Sequence, residues 1–155
     1  MNLIVDLEAT CWEVAKVPDL NEIIDIGIVV CDNQYNILDT WSSLVKPRVN
    51  TKLSSFCRRL TSIKQSDVDS AEYLSDVIPK FIEWFQSNFK IHPSNIIWHT
   101  WGTWDLKCLT SDCNRNNIVF PFSEHRNLKD DYVFIRKCEK NDKLGIKDVI
   151  TREGI

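Results

Sequence analysis

Two short, almost continuous apolar runs, residues 2–7 and 23–31, limit what this chain can build. Runs of this length, rich in Ile, Val and Leu, suit strands covered on both faces. The polar turn Cys31-Asp32-Asn33-Gln34 follows the second run, and residues 35–45 read as a third strand, so the opening of the chain predicts an antiparallel meander. Leu74, Val77, Ile78, Phe81, Ile82, Phe85 and Phe89 then recur at steps of three and four, which predicts a helix packed on the sheet. Proline fits the first turn of a helix and not its interior, so Pro79 places the helix start just before it, with Ser75 or Asp76 as cap. Downstream, residues 95–100 read as a fourth strand and 104–113 as a short helix. Residues 118–128 read as a loop with a fifth strand, and 130–138 as another helix. The order β-β-β-α-β-α-β-α predicts an α/β fold with a mixed sheet: three antiparallel strands, then alternating helices and strands.

With 43% hydrophobic residues over 155 positions, only 4 Gly and 5 Pro, and no repeat or linker, the chain is expected to form a single domain over 1–155. Its start lacks a basic segment before an apolar one, and no apolar run approaches the roughly 18 residues that cross a bilayer. A soluble, cytoplasmic protein with no membrane partner is therefore expected. The six cysteines lie outside C-x-x-C pairs, which fits free thiols in a reducing compartment and implies no zinc site. A net charge of −3 and a pI near 5.6 exclude binding of nucleic acid through overall charge alone. They leave room for an enzyme whose metal ions hold phosphate. Residues 46–64 carry Lys46, Arg48, Lys52, Arg58, Arg59 and Lys64 with no Asp or Glu, a pattern that serves either as a track for phosphates or as a solvated loop and helix face.

The first apolar run ends in Asp6 and Glu8. Residues two apart in a strand point to one face, so two negative charges address one place. Burying such a pair costs several kcal/mol unless cations, donors or solvent compensate. Divalent cations do this well: Mg²⁺ prefers carboxylate oxygen, and two ions about 4 Å apart stabilise both oxygens of a phosphodiester displacement. A solvated strand end accounts for the same spacing. In Trp98-His99-Thr100-Trp101-Gly102-Thr103-Trp104-Asp105, a strand and a glycine turn set an acid at a helix start, where it either faces the strand ends or offsets the helix dipole.

The word Asp6-Leu7-Glu8-Ala9-Thr10-Cys11-Trp12 resembles the first motif of the DEDDh-type 3′-to-5′ exonucleases, in the branch of histone-mRNA exonuclease and KapD-like proteins. The words Asn21-Glu22-Ile23-Ile24-Asp25-Ile26-Gly27, Lys46-Pro47, Leu53-Ser54-Ser55-Phe56-Cys57, Leu60-Thr61-Ser62-Ile63 and Trp101-Gly102-Thr103-Trp104-Asp105 resemble the same branch, in the same order. Several ordered words are far more specific than any one of them. The resemblance implies a ribonuclease H-like fold in which Asp6, Glu8 and Asp105 are catalytic and bind two Mg²⁺ or Mn²⁺ ions. It implies that Ala9 and Thr10 hold the terminal nucleotide of single-stranded RNA or DNA at its 3′ end, with RNA favoured. Trp12 either stacks on a base or packs in the protein.

The family completes its site with a third motif, a general-base histidine followed five positions later by a metal-binding aspartate. Leu144-Gly145-Ile146-Lys147-Asp148-Val149-Ile150 resembles the helix before that motif, and the sequence ends at Ile155. The domain is therefore expected to be C-terminally truncated, weakly active or inactive alone, and prone to instability or self-association through an uncovered apolar face. His125 and Asp130 have the spacing of the third motif, but His125-Arg126-Asn127-Leu128-Lys129 better resembles the family's fifth strand, which makes His125 structural. A catalytically inactive module that binds nucleic acid or protein is the alternative function.

Overall fold

The computed structural model describes residues 1–14, 21–138 and 144–155. The three opening strands pair as the sequence predicts: β1 (Asn2–Ala9) is antiparallel to β2 (Ile23–Cys31), and β2 to β3 (Ile37–Lys46). Two short helices, α1 (Ser55–Thr61) and α2 (Gln65–Ser70), lead to a two-residue strand, β4 (Glu72–Tyr73), which pairs parallel with β3. The long helix α3 (Leu74–Phe89) follows, then β5 (Ile97–Thr100), α4 (Trp104–Arg115), β6 (His125–Asn127), α5 (Leu128–Arg136) and α6 (Ile146–Glu153). β5 pairs parallel with β1, and β6 with β5, so the mixed sheet runs β4-β3-β2-β1-β5-β6 with β1 inside it.

Strand alternation sorts β1 into two faces. Leu3, Val5, Leu7 and Ala9 enter the main core with Ile26, Ile28, Val30 and Trp98 of the neighbouring strands. Helix α3 covers this face with Leu74, Val77, Ile78, Phe81 and Phe85, and α4 adds Cys108, Leu109 and Cys113. The remaining β1 residues, Asp6 and Glu8 among them, point the other way. The β1–β2 register shifts once: Glu8 faces Asp25, but Ala9 faces Ile23, so Ile24 is one residue more than the ladder needs. That bulge leaves Ile23 in the main core and turns Ile24 into a second cluster with Leu53, Cys57, Ile63 and Val68 from the α1–α2 region.

Several elements differ from the sequence reading. Helix α3 begins at Leu74, so Pro79 lies inside it rather than in its first turn. Pro79 is solvent-exposed, and on that side water satisfies the carbonyl its missing N–H leaves free. Helices α1 and α2 are too short, at seven and six residues, to display a helical period, and they depend on the cluster around Ile24. The fifth strand narrows to His125–Asn127, and α5 starts at Leu128. The helix that resembles the family's element before its third motif spans Ile146–Glu153. No helix among the described residues is long and apolar enough to cross a membrane.

Phe81 is fully buried and lies 5.2 Å from the Trp41 ring and 5.7 Å from Phe122, bridging α3 to β3 and to the segment before β6. Phe81→Ala is expected to remove about 3–5 kcal/mol of stability, measured by urea denaturation.

Candidate active site

Past its last rung with β5, Ile4 opposite His99, β1 continues without a parallel neighbour. The free Leu7 N–H there donates to Asp105 Oδ1 at 3.2 Å. A turn aims that carboxylate. Thr100 Oγ1 donates to the Gly102 carbonyl at 2.6 Å, Gly102 N donates to Asn127 Oδ1 at 2.7 Å, and Gly102 sits at φ +94°, a conformation that glycine adopts without strain. Two helical turns further along α4, Asp112 Oδ2 accepts the Ile23 amide at 2.7 Å and pairs with Arg115. Helix α4 is thereby held to β1 and β2 by two carboxylates from one of its faces.

Asp6 and Glu8 share a face of β1, and the residues directly opposite them on β2 are Gly27 and Asp25. Gly27 leaves the space beside Asp6 open. Asp25 stands across from Glu8 and makes a fourth carboxylate. Their electrostatics agree with this crowding. Desolvation raises the pKa of Asp6, and it raises that of Glu8 with further contributions from Asp6, Asp25 and Asp105. Desolvation also raises Asp25, against a backbone hydrogen bond, and it pushes Asp105 up to about 6 with help from Asp6. Among the described residues, none of these four side chains is in an ion pair with Lys or Arg.

The sequence-predicted residues are thus partly gathered. Asp6, Glu8 and Asp105 are electrostatic neighbours. Ala9 and Thr10 are adjacent to them but turn inward: Ala9 packs in the core, and its carbonyl meets Cys57 Sγ at 3.6 Å. Thr10 is buried, its hydroxyl accepts Glu22 N at 2.9 Å, its own N–H donates to Glu22 O at 2.8 Å, and its carbonyl takes Asn21 Nδ2. Trp12 is half-buried. His125 stands opposite Trp98, which stands opposite Leu3, so it belongs to the core face, and its Nε2 lies 2.8 Å from Thr100 Oγ1. His99 shares the carboxylate face by register but is buried, with Nδ1 3.1 Å from the Leu3 carbonyl. His92 sits in the turn before β5, bonded to Ser94.

Three residues escaped sequence reasoning. Asp25 was visible as an acid in an apolar run, but its place opposite Glu8 depends on the register in which β2 pairs with β1. Trp104, beside Asp105, is 48% exposed, whereas periodicity could not say which ring of its word faces outward. Glu22 is buried, and its carboxylate accepts the successive amides of Arg48, Val49 and Asn50 at 2.6–3.0 Å. Its backbone grips Thr10, so this one residue ties the loop after β3 to the end of β1.

The donor set fits hard divalent cations: carboxylate oxygens with no cationic partner among the described residues, held on strand and helix positions. No three His, Cys, Asp or Glu side chains among the described residues enclose an ion by themselves. Mg²⁺ does not require such a cage, because it keeps several waters and binds through one or two carboxylates plus substrate phosphate.

The chain and its fold have counterparts among known proteins. The Exonuclease family model matches residues 3–138. The chain is 37% identical over 120 residues to 3′-5′ exoribonuclease 1 of Rattus norvegicus, covering 76% of this chain and 35% of that protein. It is 35% identical over 136 residues to the probable 3′-5′ exonuclease KapD of Bacillus subtilis (strain 168), covering 84% of this chain and 62% of the relative. It therefore spans between about a third and two thirds of these relatives' length. Among solved structures, the nuclease domain of 3′hExo, a DEDDh family member, bound to rAMP, superposes with a TM-score of 0.80 at 32% identity. That match covers 89% of this chain and 71% of the other.

Two outcomes are expected. Asp105 titrates near 6 when folded against 3.8 as a free group, so the folded state binds its proton more tightly. Stability from this group is full below pH 3.8 and is lost as pH rises through about 6. In metal-free buffer, Asp105→Asn should abolish a decline of roughly 2 kcal/mol over that window, read by thermal denaturation, and Mn²⁺ should stabilise the variant less than the parent. Glu22→Gln should cost roughly 3 kcal/mol and selectively speed amide hydrogen exchange at Arg48, Val49 and Asn50.

Proposed function

This chain belongs to the exonuclease family, and on that footing we propose that it hydrolyses phosphodiester bonds from the free 3′ end of single-stranded nucleic acid, RNA in preference to DNA. The observation that carries the reading is the meeting of Asp6, Glu8 and Asp105 at the end of β1, with raised pKa values and, among the described residues, no cationic side chain paired with them. The RNA preference rests on relatives named as exoribonucleases.

In this reading Asp6, Glu8 and Asp105 would hold two Mg²⁺ or Mn²⁺ ions, which when bound supply charge stabilisation for the attacking and leaving oxygens. Asp25, across from Glu8, adds negative potential that draws cations to this face. Ala9 and Thr10 shape the seat of the terminal nucleotide as packed backbone, since their side chains, both carbonyls and the Thr10 N–H are committed within the protein. Two aromatic rings are available to bases: half-buried Trp12 and the more exposed Trp104, and stacking of this kind is indifferent to sequence.

Water activation is the weak step. The chain has three histidines, and His92, His99 and His125 are each held away from an exposed position beside the carboxylates. Turnover by this chain alone is therefore expected about 10²- to 10⁴-fold below that of a site with an imidazole base.

The test is digestion of end-labelled single-stranded RNA and DNA, with free or blocked 3′ ends, in Mg²⁺ or Mn²⁺. A slow ladder from free 3′ ends, faster on RNA and reduced to background by Asp6→Ala, is the expected result. Binding without any ladder would overturn the catalytic reading and leave a nucleic-acid-binding module.

A further inference from the structure

Residues 46–64 hold six Lys and Arg, while all 22 Asp and Glu lie elsewhere in a chain of net charge −3. The structure divides these six cations. Lys46 Nζ donates to the Asp69 carbonyl at 2.9 Å, and Arg48 lies 4.1 Å over the Tyr73 ring and donates to Ser75 Oγ. Lys64 stands at the head of α2, where its backbone donates to Asp67. The side chains of Lys52, Arg58, Arg59 and Lys64 are exposed and, among the described residues, have no ion pair or hydrogen bond, and of these Arg58 and Arg59 stand together on one helix.

Ser55, Arg58 and Arg59 are spaced three and four apart and form the solvent face of α1, opposite buried Cys57. This helix is fastened to the carboxylate strand. Ser54 Oγ donates to the Cys11 carbonyl at 2.6 Å, and Cys57 Sγ reaches the Ala9 carbonyl at 3.6 Å. Arg58 is therefore the next residue after one that touches the neighbour of Glu8. A cluster of four carboxylates repels an approaching polyanion. Metal ions at the scissile bond answer only for the phosphate they hold, so the phosphates upstream need cations of the protein's own.

Resting on the 3′-end reading above, we infer that the exposed face of α1 carries the sugar-phosphate backbone of the single strand leading into the site. Arg58 and Arg59 each take one phosphate, since a guanidinium fork matches two phosphate oxygens, and Lys52 adds attraction at longer range.

The experiment is fluorescence anisotropy of a labelled single-stranded decanucleotide with a free 3′-hydroxyl, in Ca²⁺ to hold back hydrolysis, across a salt series. The unlabelled 3′-terminal dinucleotide serves as competitor. The double variant Arg58→Ala, Arg59→Ala should reduce the slope of log affinity against log salt by about 1.4, at roughly 0.7 for each single-strand phosphate released. The pair Arg58→Lys, Arg59→Lys should restore the slope, and dinucleotide binding should be unchanged in both. An unchanged slope, or equal losses for decanucleotide and dinucleotide, overturns the track while leaving 3′-end recognition intact. A parent chain that binds neither probe overturns 3′-end recognition and the track with it, and circular dichroism of the variants separates either result from misfolding.

Discussion

Two carboxylates of one helix accept two backbone amides of two strands, and the rest of the site depends on that geometry. Asp105 takes Leu7 N–H where β5 has run out, and Asp112 takes Ile23 N–H where the β1–β2 ladder is bulged. Buried amides without partners cost about 1–3 kcal/mol each, so both strand ends call for an acceptor at these positions. The seven-residue spacing in α4 presents both acceptors on one side of the helix. The catalytic-type acid and the structural acid are thus positioned by the same demand of the backbone.

Six acids lie close together here, and their surroundings give them different roles. Glu22 is enclosed by three amides and Asp112 by an amide and Arg115, so each charge is answered inside the protein. Asp6, Glu8 and Asp105 receive much less: one amide of the neighbouring strand reaches Asp105, and among the described residues no Lys or Arg pairs with any of the three, although desolvation raises the pKa of Asp112 as well as theirs. A carboxylate satisfied by amides gains nothing from a metal ion, whereas one that is desolvated and crowded by like charge gains a great deal. The difference separates the residues that hold the loops in place from those suited to bind cations.

The surfaces around the site follow the same division. Helix α1 contributes a buried side that closes the cluster around Ile24 and a solvent side with two unpaired arginines. Helix α5 buries no residue fully and leaves Phe134 and Ile135 largely exposed, joined to α6 through Tyr132 and Glu153. The aromatic core under α3 is continuous and lies on the opposite side of the sheet from the carboxylates, which leaves the site face to short helices and loops.

Local patterning in the sequence determined much of this. Two apolar runs specified central strands, the three-and-four spacing from Leu74 to Phe89 specified α3, and the period of two put Asp6 and Glu8 on one face whatever else the chain did. Such features follow from the geometry of one element and need no partner. The tertiary structure decided the remainder. Pro79 reads as a helix start until the exposure of its side of α3 is known, and α1 and α2 are too short to show a period. Asp25 joins the carboxylates only because the β1–β2 register sets it opposite Glu8, and His125 is excluded from them only because β6 pairs it with Trp98. Ala9 and Thr10 read as candidates along the chain and Glu22 does not, yet hydrogen bonds from residues up to 48 positions away assign all three to the interior. Register, burial and long-range amide partners are properties of pairs of segments, and no single stretch of sequence contains them.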